Sequence, residues 1–164
     1  MIANGYTLLS KNPIRDMESK KIQRHGVSFG LGEAGYDIRI KQKIEFSYHG
    51  ERRIVMIDDV AQDDERFALA SAMEEFHMPF NLVGIVHDKS TWARKGLSVF
   101  NTVIEPGWRG FLTLELVYHG SGELIIPAGA GIAQVIFHQT TDQTFYSGKY
   151  QNQEDKPVAA KGSI

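Results

Sequence analysis

The sequence predicts a strand-rich, mainly all-β fold with one short helix near its N-terminus. Three observations carry that expectation. From Gly35 onward, apolar and polar residues alternate with period two, the spacing of half-buried strands. Turn-forming clusters, Pro106-Gly107, Gly120-Ser121-Gly122 and Pro127-Ala128-Gly129, punctuate the second half at the short intervals of antiparallel sheets. No segment repeats at a period of roughly 20 to 50 residues, which argues against solenoids and propellers.

Taken in order, Asn12-Pro13 reads as a helix start, with a capping side chain before a proline at the first helical position. Ile14, Met17 and Lys21 then share a face, so a helix is expected over 12–22. Tyr36, Ile38 and Ile40 alternate with Asp37, Arg39 and Lys41, and Ile44, Phe46 and Tyr48 continue the pattern, giving two half-buried strands. Further strands are expected at 53–57, 82–86, 97–104, 111–118, 123–126 and 132–138. The segment 65–76 is ambiguous, because its Ala, Leu, Met and Glu content favours helix on propensity alone. From Gln151 onward the chain is polar, with Val158, Ala159, Ala160 and Ile164 its only aliphatic residues. Such a tail is expected to be mobile without a ligand and able to close over one.

Composition narrows the function. The 164 residues fit one domain, and 42% hydrophobic with 23% charged residues is enough for a real core. A net charge of −2 lacks the basic stripe that grips polymeric nucleic acid through its phosphates. No cysteine is present, which rules out disulfides, a thiol nucleophile, thiolate zinc sites and iron–sulfur clusters. The N-terminal residues carry no signal-peptide pattern and no apolar run approaches the roughly 18 residues of a membrane span, so a cytoplasmic protein without membrane insertion is expected.

Several motifs fail on context. Gly30-Leu31-Gly32-Glu33-Ala34-Gly35 spells a dinucleotide fingerprint, but a strand pattern follows it where the fingerprint needs a helix, so a turn is expected. Lys89-Ser90 has no glycine-rich cradle before it and is not a P-loop. The six histidines, at 25, 49, 77, 87, 119 and 138, include no pair at metal-ligand spacing.

Two stretches carry chemistry. In Lys89-Ser90-Thr91-Trp92-Ala93-Arg94-Lys95-Gly96, cations bracket two hydroxyls, which suits either phosphate oxygens or a solvated basic turn. In Phe111-Leu112-Thr113-Leu114-Glu115-Leu116-Val117-Tyr118, Glu115 sits inside an apolar strand, on one face with Phe111, Thr113 and Val117 by alternation. A carboxylate there is either neutralised by a cation or held at a raised pKa for proton transfer.

Together the sequence resembles the dCTP deaminases of the trimeric dUTPase-like superfamily. The likeness is carried in order by Ser28-Phe29-Gly30-Leu31 with Gly35-Tyr36-Asp37-Ile38-Arg39, by KSTWARKGL at 89–97, IEPGWRGFLTLEL at 104–116, GIAQVIF at 131–137 and SGKYQNQ at 147–153. It implies a distorted β-sandwich or jelly-roll protomer of the dUTPase-like type spanning 1–164. It further implies a homotrimer with sites at subunit interfaces, residues 147–164 as a ligand-closing tail, and a strand over 67–76.

The activity implied is hydrolytic deamination of dCTP to dUTP and ammonia, without zinc. Zinc-dependent cytosine deaminases need an H-x-E and P-C-x-x-C signature that this chain cannot supply. By resemblance Glu115 is the general base, Arg94 orients it and the attacking water, and Ser90 holds the water or a phosphate oxygen. The nucleotide-binding set implied is Lys89, Ser90, Thr91, Trp92, Ala93, Arg94, Thr113, Leu114, Glu115, Gln134, Tyr146, Lys149 and Gln153. Mg²⁺ is implied as a partner of the triphosphate, with no protein metal site.

Some positions depart from the family pattern. The chain is shorter than typical members, the Tyr146 to Gln153 match needs a deletion, and Trp92 stands where Tyr or Leu is usual. The stretch 100–104 resembles the shorter loop of one subgroup, leaving dTTP inhibition open. Glu105 lies where a diphosphatase has an aspartate, so dUTP diphosphatase activity, alone or combined with deamination, is an alternative. Against it, dUTPases have no glutamate at the position of Glu115, and their glycine-rich closing motif is missing from 147–153. A non-catalytic nucleotide-sensing trimer is a third reading.

Overall fold

A computed structural model describes residues 1–100 and 103–162. In chain order the elements are β1 (Ile2–Ala3), α1 (Gly5–Lys11), β2 (Lys21–Arg24), β3 (Val27–Leu31), β4 (Tyr36–Arg39), β5 (Ile44–His49), β6 (Arg52–Ile57), β7 (Val60–Ala61), β8 (Phe67–His77) and β9 (Leu82–Asp88). They continue with α2 (Ser90–Ala93), β10 (Leu97–Val99), β11 (Val103–Ile104), β12 (Arg109–Tyr118), β13 (Leu124–Ile126) and β14 (Gly131–Gln139). Among the described residues three antiparallel sheets form, ordered β11-β9-β14-β4-β3-β2, β10-β12-β8 and β13-β5-β6-β7, with β1 paired to the end of β14. Side chains from all three meet in one core, where Ile38, Ile44, Phe46, Phe76, Leu116 and Phe137 are each at most 2% exposed. No helix among the described residues is long and apolar enough to cross a membrane.

The helix is displaced from its expected place. It occupies Gly5–Lys11, and Asn12 ends it in the left-handed conformation (φ 46°), donating its N–H to the Leu8 carbonyl at 3.0 Å. Asparagine tolerates that conformation, and Pro13 cannot extend a helix, so Asn12-Pro13 is a stop signal here. Ile14 instead bridges to Phe76, and Lys21–Arg24 is a strand.

The ambiguous segment is a strand. In β8 the even positions Ala68, Ala70, Ala72, Glu74 and Phe76 are all buried, a period-two pattern that tertiary packing imposes on helix-favouring residues. Glu74 reaches across to β4, accepting from the Arg39 backbone N–H and from Arg39 Nε, both at 2.8 Å. Burial pushes its carboxyl up, against the pull of the Arg39 guanidinium.

The expected strand over 97–104 divides into β10 and β11, with Asn101 and Thr102 outside the described residues. Of the Gly30–Gly35 run, Gly30 and Leu31 end β3 and the remainder turns the chain into β4, with Gly32 N–H donating to Gly35 O at 2.9 Å. A Cβ on Gly35 would lie 2.2 Å from the Val135 carbonyl oxygen, so close strand approach accounts for that glycine.

Candidate active site

β12 and β8 form two walls of a cavity of about 520 Å³. Glu115 pairs with Leu69 across the strands and Val117 with Phe67, so Glu115 shares its face with the apolar side chains of β8. Thr113 and Glu115 both line the cavity, as alternation requires, but Phe111 does not, and Leu112 takes its place where the β12–β8 register shifts. Glu115 is half-buried, and desolvation pushes its carboxyl above the usual carboxylate range.

The C-terminal segment forms the third wall. Tyr146, Tyr150, Gln153, Val158 and Ala160 line the same cavity. Gln153 joins the chain as a parallel bridge to Gly110, its O accepting from Phe111 N–H at 3.1 Å, and its side-chain amide donates to the Thr113 hydroxyl. Val158 N–H donates to the same hydroxyl at 3.0 Å. Trp108 Nε1 donates to Tyr150 O at 2.7 Å, and the Lys41 ammonium pairs with Asp155. These polar bonds tie the tail to β12, to Trp108 and to the Lys41 side chain. Its two final residues, Ser163 and Ile164, lie outside the described set.

The other expected site residues stand elsewhere. Lys89 is the N-cap of α2, and its ammonium pairs with buried Asp37 and donates to Ser28 Oγ at 3.0 Å. Ser90, Thr91, Ala93 and Arg94 are exposed, while Trp92 is a core residue that donates Nε1 to Gly131 O at 2.7 Å. Gln134, half-buried on β14, lies opposite both Asp37 of β4 and His87 of β9. Leu114 is fully buried, so its side chain belongs to the core and only its backbone could meet a ligand. Lys149 is exposed and donates to Lys161 O at 2.6 Å.

Two groups result. Glu115, Thr113, Tyr146 and Gln153 share the cavity, whereas Lys89, Ser90, Arg94 and Gln134 do not line it. Sequence reasoning missed Trp108 and Tyr150 as cavity walls. Aromatic side chains of that kind look identical in sequence to core residues, and only the hydrogen bond tying one to the other reveals their shared place. Among the described residues no three His, Asp or Glu side chains gather as a metal site.

The antiparallel sheets of this chain have the dUTPase-like fold. The chain resembles the native dUTPase of EIAV with a TM-score of 0.52 at 19% identity, covering 91% of this chain and 97% of the other. It also resembles the Staphylococcus bacteriophage 80alpha dUTPase, with a TM-score of 0.51 at 14% identity over 79% and 88% of the two chains. The dCTP deaminase-like family model matches residues 8–140. A dCTP deaminase of Acidobacterium capsulatum is 32% identical over 162 residues, 88% of each chain, and one of Nautilia profundicola is 34% identical over 161 residues, 87% of each. The chain belongs to the dCTP deaminase-like family.

Proposed function

We propose that the protein hydrolyses dCTP to dUTP and ammonia, with Glu115 as general base. The observation that carries this is a carboxylate of raised pKa in a largely apolar cavity, on the strand where the family motif places it. Such a group can take a proton from water and return it to the substrate. Water attacks cytosine C4 as Glu115 removes its proton. That proton passes to N3, the C4 amine leaves as ammonia, and the second water proton goes with it as the C4 carbonyl forms.

Arg94 and Ser90 stand outside the cavity of their own chain. In this reading a second copy supplies them to Glu115, in keeping with the homotrimer with interfacial sites that the family resemblance implies. Mg²⁺ enters with the triphosphate as part of the substrate, a hard cation suited to phosphate oxygens. The chain has no cysteine to make a thiolate zinc site, so activity should survive prolonged treatment with a zinc-specific chelator. Loss of turnover on removal of stoichiometric zinc would overturn the mechanism.

Glu105 lines the same cavity, which keeps a second reading in view, hydrolysis of dUTP to dUMP and pyrophosphate. Incubation with dCTP and Mg²⁺, followed by separate quantification of ammonia, dUTP, dUMP and pyrophosphate, decides between them. Ammonia with dUTP is the expected product pair. Pyrophosphate without ammonia would replace the proposal by the second reading.

Removing residues 151–164 should weaken dCTP binding by at least about tenfold. The tail contributes Gln153, Val158 and Ala160 to the cavity wall, yet buries little apolar area. Calorimetric binding and thermal unfolding of the truncated chain check this. Unchanged affinity would show that the tail takes no part in binding.

A further inference from the structure

We infer that Gln151 is a positioning residue, whose side-chain amide takes the place of a main-chain peptide beside the start of β12 and so seats Tyr146, Tyr150 and Gln153 in the wall of the cavity that Glu115 lines. The inference rests on the deaminase reading for the identity of the nucleotide. It deepens that reading by assigning a residue that does not itself line the cavity.

The C-terminal segment meets four consecutive residues, Gly107, Trp108, Arg109 and Gly110. Gly110 pairs with Gln153 in parallel, with Gln153 N–H donating to Arg109 O at 3.3 Å and Gln153 O accepting from Phe111 N–H at 3.1 Å. In a parallel ladder the next bonded step lies two residues back on both strands, which puts residue 151 opposite Trp108 and its bonds on Gly107 O and Arg109 N–H. Both bonds are made, but by the side chain. Gln151 Nε2 donates to Gly107 O at 3.0 Å, and Oε1 accepts from Arg109 N–H at 2.7 Å. The same amide is used twice more, Nε2 donating to Tyr146 O at 2.8 Å and Oε1 accepting from Asn152 N–H at 3.2 Å. Two donors and two acceptor positions are then all filled. No other side chain of this length matches the set, since glutamate lacks the donors, lysine the acceptor and methionine both.

Lending the side chain to the ladder frees the main chain to leave it. Gln151 N–H turns back to Gly148 O at 3.1 Å, and Asn152 takes the left-handed conformation (φ 57°), so residues 146–151 loop away from β12. That loop brings Tyr146 and Tyr150 to the cavity. Tyr146 is pinned at both backbone groups, its N–H on Pro106 O at 2.9 Å and its carbonyl on Gln151. Tyr150 O accepts the Trp108 indole N–H at 2.7 Å. On the other side of Gln151, a Cβ on Gly110 would lie 2.5 Å from Gln153 N and 2.6 Å from Gln153 O, so Gln153 has no slack against β12. Gln151 joins the two halves of this wall.

The test uses Gln151→Met, which removes donors and acceptor together, and Gln151→Glu, which keeps the acceptor and removes the donors. Hydrogen exchange at Arg109, Gln153 and the Trp108 indole, with Val135 in β14 as reference, is measured on full-length protein together with dCTP affinity, KM and kcat. Gln151→Met should exchange at least about tenfold faster at all three groups with Val135 unchanged, and should lose at least about tenfold in dCTP affinity. Gln151→Glu should keep Arg109 protected, yet exchange faster at the Trp108 indole and also bind dCTP more weakly, because the bonds to Gly107 O and Tyr146 O are gone. In both variants KM should rise by a larger factor than kcat falls. A merely structural role would lower the active fraction, so a fall in kcat with KM unchanged would overturn the inference. Unchanged exchange, or faster exchange with unchanged affinity, would overturn it as well. Should Gln151→Met fail to fold, Gln151→Glu carries the same exchange and affinity outcomes. Ammonia release by the wild type is scored separately. A chain that binds dCTP and releases no ammonia removes the deaminase reading, while faster exchange and weaker binding in the variants still uphold the assignment of Gln151.

Discussion

Glu115→Gln should lower ammonia release from dCTP by roughly 10² to 10⁴-fold, the usual loss when a positioned acid–base group is removed. The amide keeps the size of the carboxyl and its place between Thr113 and Val117, but cannot cycle a proton. Binding of dCTP should change far less, because the substitution leaves the C-terminal segment and the other expected nucleotide contacts in place. The pH dependence provides a separate check. A general base must be ionised, and burial raises the pKa of Glu115, so the acid limb of kcat/KM should lie above the usual carboxylate range and vanish with the substitution.

Stability should respond in the opposite sense. A carboxyl whose pKa is raised by folding favours the native state most when protonated. That advantage is complete below the unfolded pKa and is lost as pH rises through the folded one. Wild type should therefore lose stability relative to Glu115→Gln as pH rises from the ordinary carboxylate value of about 4.5. A folded variant with near-normal ammonia release would remove Glu115 from the mechanism.

The parts of the fold legible in the sequence are those where burial on one face forces alternation. β4, β5, β9, β12 and β14 fall within a few residues of their expected positions, because each presents one face to the common core. The hairpin of β2 and β3 was hidden for a local reason. Its two-residue turn is His25-Gly26, with φ of 53° and 74°, and histidine is not among the residues that usually announce a turn with positive φ at both positions. The turn between β6 and β7 is similar, with Asp58 and Asp59 at 48° and 65°. Asn12 is ambiguous in sequence because the same residue type caps both ends of helices, and here it ends α1. In the site, Glu115 stood out because a carboxylate in an apolar strand demands an explanation. The burial of Lys89 against Asp37 depends on three strands being neighbours, which no local pattern encodes.

Gly131→Ala should destabilise the protein by at least about 3 kcal/mol, the upper part of the range for overpacking a well-packed interior. A Cβ at this position would lie 1.9 Å from the Ser28 carbonyl oxygen and 2.9 Å from its carbonyl carbon. Both atoms are backbone of β3, so no rotamer change relieves the contact, and β14 must move away from β3. That movement carries consequences for the site. Gly131 O accepts the Trp92 indole N–H at 2.7 Å, and Ser28 Oγ accepts from the ammonium of Lys89, the N-cap of α2, so both of these contacts pass through the displaced strands. Denaturant unfolding measures the stability term, with a fall in Tm of roughly 6–12 °C expected for a chain of this size. Gly122→Ala is the control, because a Cβ there meets nothing within 4 Å, and its effect should stay within about 0.5 kcal/mol. Equal stability of the two alanine variants would mean that β3 and β14 separate freely, and the close approach at Gly131 would then play no part in seating α2.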